Sequence, residues 1–193
     1  MRGIRAALLI ISAALVLAAC GGTRRPPAPA CTGNCVVFER GSGTIRGTYY
    51  APLVIRTGHT ITFAPGARMV GDVTVEPGAS LVATGARIEG NLAASGAGSV
   101  RLCDSTIFGT IRVSASRGLV AFGADHGRPA CLGNQIEGTV VITGNTAGVE
   151  FDGNSVVGPV TITANSGKVT PPGTGAVQAI SNTITGGAVN VQH

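Results

Sequence analysis

A short unit recurs along the chain: an apolar residue, any residue, glycine, any residue and a second apolar residue. The first copy, at residues 70–73, is slightly shortened. The glycines stand at 71, 90, 109, 138, 158 and 186, so successive copies are 19, 19, 29, 20 and 28 residues apart. The two long steps contain segments of loop composition, residues 123–132 and 170–176. Without these segments the period is 19–20 residues, which is one turn of a three-sided parallel β-helix.

Two further registers repeat at the same period. Residues 142–145 align with 162–165 and 113–116, and the tripeptides that begin at Ser105, Asn134, Asn154 and Asn182 align with one another. We therefore predict an all-β fold, a single-stranded right-handed parallel β-helix of about six to seven rungs. Rungs stacked at about 4.8 Å would make a rod about 30 Å long. We assign residues 59–193 to this repeat domain and residues 31–58 to an N-terminal cap region.

Asparagines recur at the predicted corners. Asparagine tolerates left-handed backbone geometry, and side chains stacked at one corner can hydrogen-bond from rung to rung as a ladder. Sugar binding by the same side chains is the alternative, and we favour the ladder. The asparagines concerned are Asn134, Asn145, Asn154, Asn165 and Asn182.

The N terminus has the layout of an export signal. Arg2 and Arg5 precede an uncharged run of fourteen residues, 6–19, which is shorter than the roughly 20 residues that a membrane-spanning helix needs. The run ends in Leu17-Ala18-Ala19-Cys20, which resembles the lipobox of bacterial lipoproteins. An uncleaved membrane anchor or a buried helix is the alternative. We predict a signal peptide at residues 1–19 and a Pro-rich tether at 20–30.

The lipobox resemblance implies that Cys20 becomes the lipid-bearing first residue of the mature, exported protein. Two or more acyl chains give stable anchoring to a membrane. Gly21, rather than aspartate, follows the cysteine. In bacteria with two membranes the resemblance then implies the outer membrane.

Composition and charge limit the possible partners and cofactors. Removal of Arg2 and Arg5 lowers the formal net charge from +5 to +3, and the remaining Lys and Arg are scattered, so we expect no nucleic-acid partner. Thirty glycines and no tryptophan suit a thin core of small aliphatic side chains. We expect neither a metal nor a cofactor.

Four cysteines remain after Cys20, and outside the cytoplasm we expect them to be oxidised. Three connectivities are possible, and we favour Cys31–Cys35 with Cys103–Cys131. A zinc site is the rival, which the wide gap between Cys35 and Cys103 disfavours.

Residues 61–92 resemble bactofilins, the polymer-forming bacterial β-helix proteins. The likeness lies in the repeated Gly-Ala-x-hydrophobic and hydrophobic-x-Gly-[Asp/Asn]-hydrophobic spacing, over about a third of the mature chain. The resemblance implies a parallel β-helix and filament formation. The chain departs from that family in its export signal, its asparagine corners and its two inserts.

We expect no catalytic residue. Glu89 and Glu137 share a corner position with Phe108 in the rung between them, and Arg101 and Glu150 share a face position with Leu119-Val120 between them. The densest polar cluster, Asp125-His126-Arg128, falls in the first insert. Neither a six-residue acyltransferase step nor a calcium-binding aspartate repeat is present.

These features predict a membrane-anchored, non-enzymatic structural or adhesive protein of the cell envelope. Envelope-glycan binding, or processing of a polysaccharide, is the alternative. The repeat continues through residues 188–191, so an open C-terminal rung would expose sheet edges to a second copy or to a protein partner. The alternative at this end is that the insert at residues 170–176 folds back as a cap.

Overall fold

A computed structural model describes residues 36–37, 42–123, 131–169 and 176–192. Their strands form three parallel sheets. Sheet A contains β1 (Val36–Val37), β4 (Leu53–Ile55), β7 (Val73–Val75), β10 (Leu92–Ser95), β13 (Ile111–Ser114), β16 (Val140–Thr143), β19 (Val160–Thr163) and β22 (Val189–Val191). Sheet B contains β2 (Gly43–Ile45), β5 (Thr60–Phe63), β8 (Ser80–Thr84), β11 (Ser99–Cys103), β14 (Val120–Gly123), β17 (Val149–Asp152) and β20 (Val177–Gln178). Sheet C contains β3 (Thr48–Tyr49), β6 (Arg68–Val70), β9 (Arg87–Glu89), β12 (Thr106–Phe108), β15 (Gln135–Glu137), β18 (Ser155–Val157) and β21 (Thr183–Thr185).

After β1 the chain contributes one strand each to sheets B, C and A in turn, and each set of three strands is one rung. Rung 1 is β2–β4 and rung 7 is β20–β22. No helix occurs in the described residues. The predicted all-β parallel β-helix is therefore confirmed, with a rung number at the upper end of the predicted range.

The stack extends further towards the N terminus than the predicted boundary at residue 59. Strands β1–β4 lie within the region 31–58, and each pairs in parallel with a strand one rung further on. The core side chains Ile45 and Leu53 in rung 1 are fully buried. This region therefore contributes a full rung.

The core consists of columns in which one inward position repeats from rung to rung. In sheet A the column Leu53, Val73, Leu92, Ile111, Val140 and Val160 is fully buried. Larger rings enter the core from sheet B, as Phe63 in rung 2 and as Phe122 and Phe151 in rungs 5 and 6. The last two meet edge to face with centroids 6.3 Å apart. Register is kept across both inserts, since Ile107 pairs with Ile136 and Val156 with Ile184.

The repeated glycine stands at the corner between sheets C and A, where successive backbones lie in contact. Gly109 has φ +146°, and a Cβ there would lie 2.5 Å from the carbonyl oxygen of Gly90. Gly90, Gly138 and Gly158 meet the carbonyl of the preceding rung in the same way. In rungs 2 to 6 only glycine fits this column, because a Cβ would clash with the backbone of the preceding rung.

At the other two corners the left-handed residue directly precedes the corner asparagine or serine. Asp104 and Ser181 precede Ser105 and Asn182 with φ +50° and +55°. Gly133, Gly144 and Gly153 hold the same position before Asn134, Asn145 and Asn154. The expectation that asparagine itself takes the left-handed conformation is therefore wrong. The asparagine instead contributes side-chain hydrogen bonds between rungs.

Two alanine substitutions should show that the corner between sheets C and A tolerates a side chain less than the corner between sheets A and B. Gly109→Ala should lower the free energy of unfolding by at least about 2 kcal/mol, because both φ and the Gly90 carbonyl oppose a side chain. Gly144→Ala should change it by less than about 1 kcal/mol, since nothing lies within 4 Å and Ala115 and Ala164 already hold that conformation in the adjacent rungs. Urea denaturation of both variants measures the difference. Equal destabilisation would contradict the close packing of the glycine column.

Candidate functional site

The five predicted asparagines form two hydrogen-bonded columns rather than one. At the corner from sheet B to sheet C, Asn134 donates through Nδ2 to Asn154 Oδ1 at 2.9 Å, and Asn154 donates to Asn182 Oδ1 at 3.0 Å. At the corner from sheet A to sheet B, Asn145 donates to Asn165 Oδ1 at 2.8 Å. Asn134, Asn145 and Asn154 are at most 2% exposed, which leaves no surface on them for a sugar.

Asn154 makes hydrogen bonds through both ends of its amide. Its Oδ1 accepts from the Asn134 backbone N–H and from Asn134 Nδ2, at 3.1 and 2.9 Å. Its Nδ2 also donates to the Phe122 carbonyl at 2.8 Å. The buried amide is therefore satisfied within the stack, as a buried polar group must be to avoid a desolvation cost.

Charged groups on the outer face of sheet C are bound to one another. Arg68 donates to both carboxylate oxygens of Glu89, at 3.1 and 2.7 Å, and Arg87 also donates to Glu89. The hydrogen bond from Arg68, and then that from Arg87, lower the pKa of Glu89 to about 2. The carboxylate thus stays ionised until the pH falls to about 2, and it is not a proton donor near neutrality.

Phe108 separates Glu89 from Glu137, as the sequence predicts. The Arg87 guanidinium lies over the Phe108 ring, 4.2 Å from its centroid. One face of this ring is therefore already occupied by a cation. The two carboxylates do not share an open cleft.

A second predicted face position needs a correction. Ala121 lies between Arg101 and Glu150, in place of the expected Leu119-Val120. Val120 points into the core, because it pairs with Val100 and Val149 and all three are fully buried. Glu150 is only 1% exposed although it lies on the outer register. Burial on this face thus departs from the alternation seen in the earlier strands of sheet B.

The disulfide between Cys103 and Cys131 is confirmed. It joins rungs 4 and 5, with the two Cα atoms 5.4 Å apart. Asp104 lies beside it, and the ligand atoms of these three residues lie within 4.8 Å of one another. Because the two sulfurs are bonded to each other, they are not available as thiolate ligands.

A groove of about 300 Å³ lies directly beside the disulfide, and we call it the Leu132 groove. It runs along the corner between sheets B and C over rungs 4 to 6. Sequence reasoning did not single it out. The available signal was the middle residue of the tripeptides that begin at Ser105, Asn134, Asn154 and Asn182, which is polar in every copy. The side chains that line the groove and face outwards are Asp104, Thr106, Leu132, Gln135 and Ser155.

Among its described residues, the last rung exposes two large apolar side chains, and one of them, Val189, is at a core position. Val189 pairs with Val160 in sheet A, yet Val189 is 54% exposed while Val160 is fully buried. Ile180 is 53% exposed. Among the described residues, no strand pairs with the far side of β20, β21 or β22.

Several predicted features lie outside the described residues. They are the signal peptide at 1–19, Cys20, the tether at 20–30, Cys31 and Cys35, the Asp125-His126-Arg128 cluster and most of the insert at 170–176.

No family model, no curated protein and no solved structure matches this chain. The bactofilin resemblance therefore depends on the spacing in residues 61–92 alone. Within the described residues, no helix is long and apolar enough to cross a membrane.

Loss of the Cys103–Cys131 bridge should destabilise the stack. The Cys103→Ser, Cys131→Ser variant should lose about 2–4 kcal/mol of unfolding free energy, because the bridge closes a 28-residue separation in the unfolded chain. Denaturation of the unit 31–193 measures this, with Cys31→Ser, Cys35→Ser as the matched control. Peptide mapping without reductant that finds both thiols free would refute the bridge.

Proposed function

We propose that the protein is a non-enzymatic structural module of the bacterial cell envelope, held at a membrane by lipid on Cys20. The Pro-rich segment 20–30 would act as the tether between the lipid and the β-helix. The resemblance of residues 17–20 to a lipobox supports export and anchoring. Gly21 supports an outer-membrane destination in a bacterium with two membranes.

The observation that carries the structural role is how the polar corner side chains are used. The corner asparagines are bonded from rung to rung, and Asn134, Asn145 and Asn154 are buried, so they stabilise the stack and do not form an open site. On sheet C the carboxylate of Glu89 is bound by two arginines. A non-enzymatic role agrees with both arrangements.

The two ends of the stack differ, and this difference supports a specific mode of association. Ile45 and Leu53 are fully buried in rung 1, whereas Val189, which continues the core column of Leu53 in sheet A, is 54% exposed in rung 7. The surface that best matches an exposed C-terminal rung is therefore the same rung of a second copy. Such an interface uses one patch twice and closes as a dimer. A protein partner on the same rung is the other candidate.

Envelope-glycan binding is the second candidate function. The observation that favours it is the Leu132 groove, whose outward polar side chains recur from rung to rung. A purely structural rod does not require such a groove.

Lipid attachment is tested at Cys20. Cys20→Ser should leave an unprocessed precursor and abolish labelling by a fatty-acid analogue in cells, because serine has no thiol to accept the diacylglycerol. Cys31→Ser is the control and should be processed and labelled as the unchanged protein is. Normal processing and labelling of Cys20→Ser would contradict the anchor.

Association through rung 7 is tested by light scattering on the unit 31–193 over a wide range of concentration. The unchanged unit should dimerise, and Val189→Lys with Val191→Lys should keep it monomeric, because the interface would desolvate two ammonium groups from each copy. Thr74→Lys with Ala93→Lys adds the same charge to exposed positions in the middle of sheet A and should still dimerise. A monomer at every concentration, with no partner in pull-downs, would contradict association through rung 7.

A further inference from the structure

The Leu132 groove follows the axis of the stack across three consecutive rungs. Asp104 and Thr106 line it in rung 4, Leu132 and Gln135 in rung 5, and Ser155 in rung 6. Lining residues in three successive rungs suit a linear ligand that lies parallel to the axis of the stack.

One wall of the groove belongs to a row of hydrogen-bonding side chains at a single register, which Thr183 continues beyond the groove. Thr106 pairs with Gln135, Gln135 with Ser155, and Ser155 with Thr183. Neighbouring members are one rung apart, about 4.8 Å. Within the described part of the chain, none of these four side chains makes a hydrogen bond to protein. They differ in this from the corner residue that precedes each of them.

The opposite wall is a leucine held in an exposed position. Leu132 is 85% exposed. Its backbone N–H donates to Asp104 Oδ1 at 2.7 Å, and its neighbour Cys131 is bonded to Cys103. Two tethers therefore fix this apolar side chain next to the polar row. A ligand that covered Leu132 would gain binding free energy, because apolar surface would be removed from water.

The charges around the groove favour a neutral ligand. Among the described residues that line the groove, Asp104 is the only charged one, and the exposed Glu137 lies on the same strand as Gln135. Both side chains would repel a polyanion. Arg68 and Arg87 belong to rungs 2 and 3 and are bound to Glu89.

We propose that the Leu132 groove binds three to four consecutive units of an extended, neutral glycan whose chain runs parallel to the stack. One pyranose unit of such a chain advances by about one rung, so successive units meet equivalent side chains. Their hydroxyl groups can both donate to and accept from Thr106, Gln135 and Ser155, while the carbon–hydrogen face of a ring packs on Leu132. The site depends neither on lipid attachment nor on association through rung 7.

Chain length is the first test, with the full chain in detergent micelles and isothermal titration calorimetry. The probes are β-1,4-linked N-acetylglucosamine oligomers of two, four and six units, with cellohexaose as a second neutral glycan. Affinity should rise at least about tenfold from two to four units and less than about threefold from four to six, because contacts end with the row. No measurable binding of either hexamer, or an affinity independent of length, would overturn the proposal.

Side-chain variants locate the site. Leu132→Ala should weaken binding of the tetramer at least about tenfold, and Gln135→Ala with Ser155→Ala should do the same. All three positions are exposed, so the melting temperature should not change. The matched control is Val141→Ala with Thr161→Ala, which truncates outward side chains of sheet A in the same two rungs. Unchanged binding in the groove variants, or equal loss in the control, would refute this location.

Discussion

Stacking in register is the constraint on which the whole structure depends. Each residue must suit the residue one rung above and one rung below, about 4.8 Å away. In sheet A this makes an unbroken column of aliphatic side chains from Leu53 to Val160. At the corner between sheets C and A it allows only glycine in rungs 2 to 6, because carbonyl groups of the preceding rung occupy the space of a Cβ. A residue at an inward or corner position thus restricts which residues fit one period later.

The same constraint explains how buried corners become polar along the rod. At the corner from sheet B to sheet C, Ala67 and Ala86 occupy the early rungs, and asparagine takes over from rung 5. Ser105 stands between them. Its hydroxyl accepts from the Ala86 N–H at 3.2 Å and donates to the Cys103 carbonyl at 2.8 Å, while its own N–H donates to Asn134 Oδ1. Serine therefore joins an apolar column to an amide column without leaving a buried polar group unpaired.

Periodicity made the fold predictable, whereas local geometry and long-range contacts did not follow from it. The period of 19–20 residues placed the rungs, the register across both inserts and the Cys103–Cys131 pair. It did not place the first rung, since Ala51 stands there at the position of the repeated glycine. The left-handed corner residue was misassigned by one position. Conformational propensity favours the asparagine, whereas in the structure the residue before it has the positive φ. The Leu132 groove was missed because it needs the contact between the Leu132 N–H and Asp104, 28 residues apart.

The alternation of side chains between the two faces of a strand separates the residues that build the rod from those that could bind a ligand. Asn134 is buried and bonded to Asn154, yet Gln135, the next residue, is exposed on the outer face of sheet C. Asn154 and Ser155 repeat this alternation one rung later. Because neighbouring side chains point to opposite sides of a strand, the outward row can change without disturbing the ladder. A rigid stack can therefore carry a binding face whose chemistry is set independently of its stability.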